Sequence, residues 1–305
     1  MIALQGASRW YGQVIGLNDV TCEIKPGVTA LLGVNGSGKS TLMRLVTGQI
    51  KPSTGEIKVF GESPFANPNV YKRLGYCPEI DDFYEHRSGR QFVELMGRLH
   101  GYNAKESRDR TDKVLHQVGM AERADRQIKG YSKGMRQRIK LAQAMLHDPD
   151  IILLDEPLNG LDPVGRREYI DLLEAYAAQG KAVIVSSHIL FEVEQMTRSI
   201  LLLHRGRLLA AGDLTVIREL IDKHPHRVRI ETPQPREVAR HLVALPYVLD
   251  VQFDARGDGL EIRTREPGLF FDMLPSLVLD EGLRIDSYGS PDNNLESVFR
   301  YLVES

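Results

Sequence analysis

The chain has 305 residues, a formal net charge of −2 and 26% charged residues. That length allows a large core and two domains, and the near-neutral balance supplies no electrostatic pull toward nucleic acid or an anionic membrane. Its two cysteines, Cys22 and Cys77, suit neither a disulfide framework nor a zinc site, which points to a reducing cytoplasm. No basic segment followed by an apolar run opens the chain, so no secretory signal is expected. The apolar runs Ala182–Val185 and Ile200–Leu203 are too short to span a bilayer and read as buried parallel strands.

In chain order, Ile2–Leu4 and Val20–Ile24 alternate apolar and polar residues as half-buried strands do, with Trp10-Tyr11-Gly12 in a turn-like setting between them. An apolar strand, Val28–Leu32, runs into Gly33-Val34-Asn35-Gly36-Ser37-Gly38-Lys39-Ser40-Thr41, and a helix-forming run, Leu42–Val46, follows. Strand, glycine-rich turn and helix make the context that the phosphate-cradling pattern G-x-x-x-x-G-K-[ST] requires. Glycines let backbone N–H groups approach an anion closely, and the helix start adds the positive end of its dipole. Lys39 is expected to reach the β- and γ-phosphates of a nucleotide, and the Ser40 hydroxyl to sit on Mg²⁺.

Strands are predicted at Ile57–Phe60 and Leu74–Cys77, and a helical pattern from about Ser88 to Gly130. A helix then opens at Ser132, a natural N-cap in Tyr131-Ser132-Lys133-Gly134-Met135-Arg136-Gln137-Arg138. Its free N–H groups offer a second anion-binding helix end, which need not face the same nucleotide and can serve one shared across a dimer. The strand Ile151–Leu154 ends in Asp155-Glu156. Beside a phosphate loop, Asp155 suits Mg²⁺, and Glu156 can take a proton from an attacking water. A helix through Val164–Ala177 precedes the strand Ala182–Val185, which ends in Ser186-Ser187-His188. Open α/β sheets bind ligands on that edge, where His188 can donate to a γ-phosphate or orient a water.

The pattern changes near Gly212-Asp213. A helix is predicted at Leu214–Ile221, then a strand around Val228–Ile230, a helix Glu237–Ala244, and strands Val248–Phe253 and Leu260–Thr264 joined by a turn at 257–259. Helix Leu269–Asp280, strand Leu283–Tyr288 and helix Leu295–Val303 complete the chain. From Val228 to Tyr288 that order is β-α-β-β-α-β, a ferredoxin-like arrangement.

Taken together, these motifs resemble the nucleotide-binding subunit of an ATP-binding cassette (ABC) transporter over roughly Ile2 to Gly212. Gly33–Ser40 matches the Walker A loop, Ile151–Glu156 the Walker B strand, Asn159-Gly160-Leu161-Asp162 the D-loop, Ser132–Gln137 the signature and His188 the switch histidine. Tyr11 occupies the place of the aromatic that stacks on adenine. The resemblance implies an α/β P-loop core with an antiparallel β-subdomain and a helical subdomain at about 80–130, in a domain spanning 1–222. A small α+β accessory domain over 223–305 would follow.

It further implies an ATPase working with ATP and Mg²⁺, as a homodimer or as a heterodimer with a second ATPase subunit. Each ATP would lie between one subunit's Gly33–Thr41, Asp155, Glu156 and His188 and the other's Ser132 and Gly134. A polytopic membrane permease would be the partner, on the inner face of the cell membrane, and no nucleic acid is expected. Two residues depart from the family pattern: Lys133 stands for a Gly of the signature, and Glu79 for the usual Gln after Tyr-x-Pro. Glu79 can ligate Mg²⁺ but cannot donate as Gln does. Both features, and the ending Asn294-Leu295-Glu296-Ser297-Val298-Phe299, are similar to the bacterial exporter branch with separate ATPase and permease chains. The rival readings are a soluble ABC ATPase acting on nucleic acid or ribosomes, and a non-catalytic nucleotide-dependent module. The first lacks its basic balance or long coiled coil here, and the second would lack Lys39, Glu156 or His188.

Overall fold

The computed structural model describes residues 1–213, 225–254 and 259–290. The chain divides into two compact units, Met1–Asp213 and Leu214–Ser305.

In the first unit, β1 (Ile2–Tyr11), β2 (Val14–Ile24) and β4 (Thr54–Val59) form an antiparallel sheet in the order β2-β1-β4. The expected loop around Trp10 and Tyr11 is instead strand: Tyr11 pairs with Val14 across a two-residue turn at Gly12-Gln13. Gly12 at φ 60° supplies the left-handed backbone that such a tight turn needs. β1 also carries register shifts between Leu4 and Trp10, which blur the alternation there and hide the strand's length in sequence.

The central sheet holds β3 (Gly27–Leu32), β5 (Leu74–Cys77), β6 (Ile151–Leu154), β7 (Ala182–Ser187), β8 (Ser199–His204) and β9 (Arg207–Asp213), ordered β5-β6-β7-β3-β8-β9. The first five are parallel and β9 closes the edge antiparallel to β8. Every residue of β6 and β7 is buried, as continuous apolar strands covered on both faces should be. Each large aliphatic side chain so removed from water contributes about 1.5–3 kcal/mol.

One core lies between the antiparallel sheet, helix α1 (Lys39–Val46) and the central sheet, built from residues such as Leu4, Leu42, Leu45 and Leu153. α2 (Pro68–Tyr71) leads into β5. On the other side α3 (Gly89–Leu99), α4 (Ala104–Gln117) and α5 (Lys133–Met145) form a helical group packed with α6 (Pro163–Ala177) through Phe92, Leu115, Leu141 and Tyr169. Reciprocal caps start α3 at Ser88 and Gln91, and α4 at Asn103 and Glu106. α7 (Leu190–Glu194) follows β7.

The second unit folds β10 (His226–Glu231), α8 (Pro235–Val243), β11 (Val248–Phe253), β12 (Gly259–Thr264), α9 (Pro267–Leu279) and β13 (Ser287–Gly289). Its sheet is antiparallel in the order β11-β12-β10-β13. The strand expected at Leu283–Tyr288 is shorter, because the Leu283 N–H bonds back to the Leu277 carbonyl at 3.1 Å and the side chain is buried in the core. The apolar alternation there comes from loop packing. The helices expected at Leu214–Ile221 and Leu295–Val303, part of the 257–259 turn, the boundary at 222 and the 294–299 ending lie outside the described residues.

Candidate functional site

Parallel pairing gathers the site. Leu32 of β3 pairs with Ser187, Leu154 of β6 with Val185, and Cys77 of β5 with Leu154. The residues following each strand end, namely Gly33, His188, Asp155 with Glu156, and Glu79, therefore meet at one carboxyl edge of the sheet.

The loop after β3 is tightly constrained. A Cβ at Gly33 would fall 2.2 Å from Ser37 Oγ and 2.6 Å from the Leu203 carbonyl. Gly38, at φ 110°, is the N-cap of α1, and no side chain caps that helix. Its first N–H groups are thus free to bind an anion. The Ser37 hydroxyl is buried without a protein partner, a polar atom set for an acceptor from outside the chain. These features fit a polyphosphate.

A cavity of about 380 Å³ opens here, lined by Asn35, Gly36, Lys39, Ser40, Thr41 and Glu79 among others. Tyr11, Asp155 and Glu156 also reach it. Tyr11 is 39% exposed, and its ring lies so close over Gly16 that a Cβ there would be 2.7 Å from Tyr11 Cε2. The Arg9 guanidinium lies 5.1 Å from the ring centroid. The ring is thus exposed and held at the cavity's mouth.

The polar floor is one connected network. Lys39 Nζ donates to the Gly33 carbonyl at 2.6 Å and lies 3.3 Å from Glu156 Oε1. Ser40 Oγ donates to Asp155 Oδ2 at 3.0 Å, while Ser186 Oγ donates to Asp155 Oδ1 at 2.7 Å. Ser186 Oγ in turn accepts the Glu156 N–H at 2.7 Å. Glu156 has φ 48°, a left-handed geometry costing a non-glycine residue on the order of 1–3 kcal/mol, found mostly at functional sites. His188 Nδ1 lies 2.9 Å from Glu156 Oε2.

Among the described residues no group of three or more His, Cys, Asp and Glu could hold a metal. Mg²⁺ binds through one or two protein oxygens and takes its other ligands from phosphates and water. Ser40 and Asp155 are adjacent oxygens of the right kind, and Glu79 lines the same cavity.

Ser132 and Gly134 are elsewhere. Ser132 Oγ accepts the Met135 N–H at 3.3 Å as the N-cap of α5. With Lys133, Gly160, Leu161 and Asp162, both residues line a separate concavity of about 1100 Å³ that shares no residue with the first. The Lys133 stem lies across Gly160, where a Cβ would be 2.4 Å from Lys133 Cδ. Asp162 caps α6, accepting the Gly165 N–H at 2.6 Å.

Two contributors escaped the sequence. Ser186, fully buried, holds both acids in place; it stands two residues before His188, but a Ser at the end of an apolar strand does not by itself signal contact with an acid pair. Glu192, 2% exposed, accepts from Ser187 Oγ at 3.0 Å and lies 3.3 Å from Arg166, bracing the His188 loop.

The model of the ABC transporter family matches residues 17–159. The ABC transporter ATP-binding protein NatA of Bacillus subtilis is 33% identical over 72% of this chain and 92% of its own. The chain belongs to the ABC transporter ATP-binding proteins. An uncharacterized ABC transporter ATP-binding protein of Nostoc is 39% identical over 67% of this chain, which spans 62% of that relative's length. The daunorubicin/doxorubicin resistance ATP-binding protein DrrA of Streptomyces peucetius is 28% identical over 99% of this chain and 92% of its own. A solved ATP-binding subunit of an ABC transporter superposes with TM-score 0.65 at 28% identity, over 72% of this chain and 92% of that one. Among the described residues, no helix is long and apolar enough to cross a membrane. For this ABC ATP-binding chain, the β-subdomain, parallel core and helical group expected from sequence are all present.

Proposed function

We propose that the chain is the ATP-hydrolysing subunit of an exporter-type ABC transporter, acting as a dimer on a separate polytopic membrane permease. The observation that carries this reading is the separation of Ser132 and Gly134 from the cavity holding Lys39, Asp155 and Glu156. Two phosphate-seeking surfaces that share no residue are completed by a second copy, or by a second ATPase subunit. The drug-resistance relative of matching length favours export. Residues 223–305 act as the accessory domain, and the assembly lies peripherally on the inner face of the cell membrane.

In the mechanism, Lys39 leaves Glu156 to meet the β- and γ-phosphates, and the free N–H groups at the start of α1 take their oxygens. Tyr11 stacks on adenine, worth on the order of 1–3 kcal/mol by analogy with other base–aromatic contacts. Mg²⁺, held by Ser40 and Asp155 with Glu79 nearby, would neutralise charge developing on the phosphates. Glu156, released from its lysine, takes a proton from the attacking water. His188 donates to the γ-phosphate. The partner's Ser132 and Gly134 close the site from the other side, and closure moves the helical group at about 80–130. Co-purification of the tagged full chain with a multi-span membrane protein, and ATP-dependent self-association, test the reading. Capture of nucleic acid or ribosomes instead would sink it.

A further inference from the structure

Helix α5 presents two cations to one loop. Lys140 stands among Ile139, Leu141 and Ala142, all fully buried, and is itself 3% exposed. Its Nζ donates to the Pro78 carbonyl at 2.9 Å and the Glu79 carbonyl at 3.0 Å, and lies 2.9 Å from Asp81 Oδ1. All three ammonium donors are used on one short segment. One turn earlier, Arg136 makes two bonds to the Glu85 carboxylate, at 2.7 and 2.9 Å, and its guanidinium lies 5.8 Å from the Phe83 ring centroid. A buried ammonium in an apolar row is expensive unless fully satisfied, and a stretch of core needs none. The charge is there for what it holds.

What it holds has two ends. The Pro78–Asp81 segment continues β5 directly and sets Glu79 in the ATP cavity. Ser132, the N-cap of α5, stands eight residues before Lys140, which at 1.5 Å per residue is about 12 Å along a rigid helix. The Ser132–Gly134 end faces the other concavity. Lys140 thus ties the Glu79 segment to the helix that Ser132 caps. We infer that Lys140 is a positioning residue that couples the two ATP sites of a dimer, locking the Glu79 loop of one site to the helix whose start closes the other. This rests on the dimeric reading above. Energetic coupling needs such a shared element that both sites bias.

The test measures ATPase rate against ATP concentration for the purified full chain and for Lys140→Met, with ATP affinity by equilibrium binding and fold by circular dichroism. In Lys140→Met we expect affinity within about twofold, kcat lower by about tenfold, and a Hill coefficient fallen from above 1 toward 1. Lys140→Arg, which keeps the charge, should recover part of both. A folded Lys140→Met with the parent's kcat and Hill coefficient overturns the inference. So does a parent without cooperativity, or a variant that loses only ATP affinity. If Lys140→Met does not fold, Asp81→Asn removes the ionic contacts to Lys140 and, at 3.9 Å, to Arg136, and leaves both carbonyl bonds of Lys140; it should lower the Hill coefficient in the same direction, and an unchanged value overturns the inference. Failure of the dimeric reading shows separately, as a Glu156→Gln chain that stays monomeric with saturating ATP.

Discussion

Lys39 Nζ and Glu156 Oε1 lie 3.3 Å apart, and only 7% of either side chain is exposed. The two charges thus neutralise one another. Neither charge is left buried alone, a state that would cost several kcal/mol. On the proposed mechanism, an incoming triphosphate would replace Glu156 as the lysine's anion and leave the carboxylate free to act as a base. Binding and activation would then be one event.

Glu156→Gln should therefore separate them. Losing the general base lowers the hydrolysis rate by about 10²–10⁴, while Lys39, no longer competed for, binds ATP at least as tightly as before. Phosphate release and equilibrium ATP binding check the two halves. A variant that hydrolyses ATP at the parent rate removes Glu156 from its role.

Ser186→Ala should act through the acids it holds. The substitution leaves the buried Glu156 N–H without its partner at 2.7 Å and frees Asp155 Oδ1. Removing groups that orient a metal ligand typically costs about 10–100-fold in metal affinity. The Mg²⁺ concentration for half-maximal ATPase should rise by at least about tenfold. An unchanged Mg²⁺ profile would show that Ser186 only fills space.

Gly38→Ala should abolish nucleotide binding. A Cβ there would sit 2.5 Å from the Gly16 carbonyl, at φ 110°, where an L side chain is also strained. The combined cost is about 2 kcal/mol or more, read as a lower denaturation midpoint. ATP should no longer raise the thermal midpoint of the variant. Retained ATP stabilisation would mean the loop reshapes without harm.

His147 should make the protein acid-sensitive well away from the site. Burial, helped by the stacked ring of His100 at 4.3 Å, pushes His147 down to about 4. Its Nε2 lies 3.1 Å from the Leu74 carbonyl, so the neutral ring donates there. Unfolding lets it protonate near 6.5, so the unfolded chain binds more protons between that value and about 4. Its contribution to stability is complete above 6.5 and is lost as pH falls through that window. Urea midpoints at pH 7 and 5 should differ more for the parent than for His147→Gln. Equal differences would exclude His147 as the cause.

Much of the site was legible because it is built from short, contiguous signals. Gly33–Thr41 needs its glycines, lysine and serine in consecutive places, and Asp155-Glu156 must close an apolar strand. Such spacing constraints are written along the chain. Ser186 and Lys140 were not legible, since a serine in a buried strand and a lysine in an apolar helix row look like exceptions until their partners appear. Those partners are 31 and 62 residues away. The length of β1 was hidden by its register shifts, and the apolar residues after α9 read as a strand although Leu283 packs into a loop.

By itself, then, the sequence determined the local chemistry: a phosphate loop at a strand end, an acid pair at another, a histidine at a third, and a capped helix opening at Ser132. Local patterns encode these because glycine conformations, caps and apolar periodicity act over a few residues. Only the tertiary structure decided which of them meet. The order β5-β6-β7-β3 and its parallel register set Glu79, Asp155, Glu156, His188 and Lys39 on one edge, and left Ser132 and Gly134 on a surface of their own. Strand pairing joins residues by hydrogen bonds across more than a hundred positions of chain, and no spacing along the sequence records that.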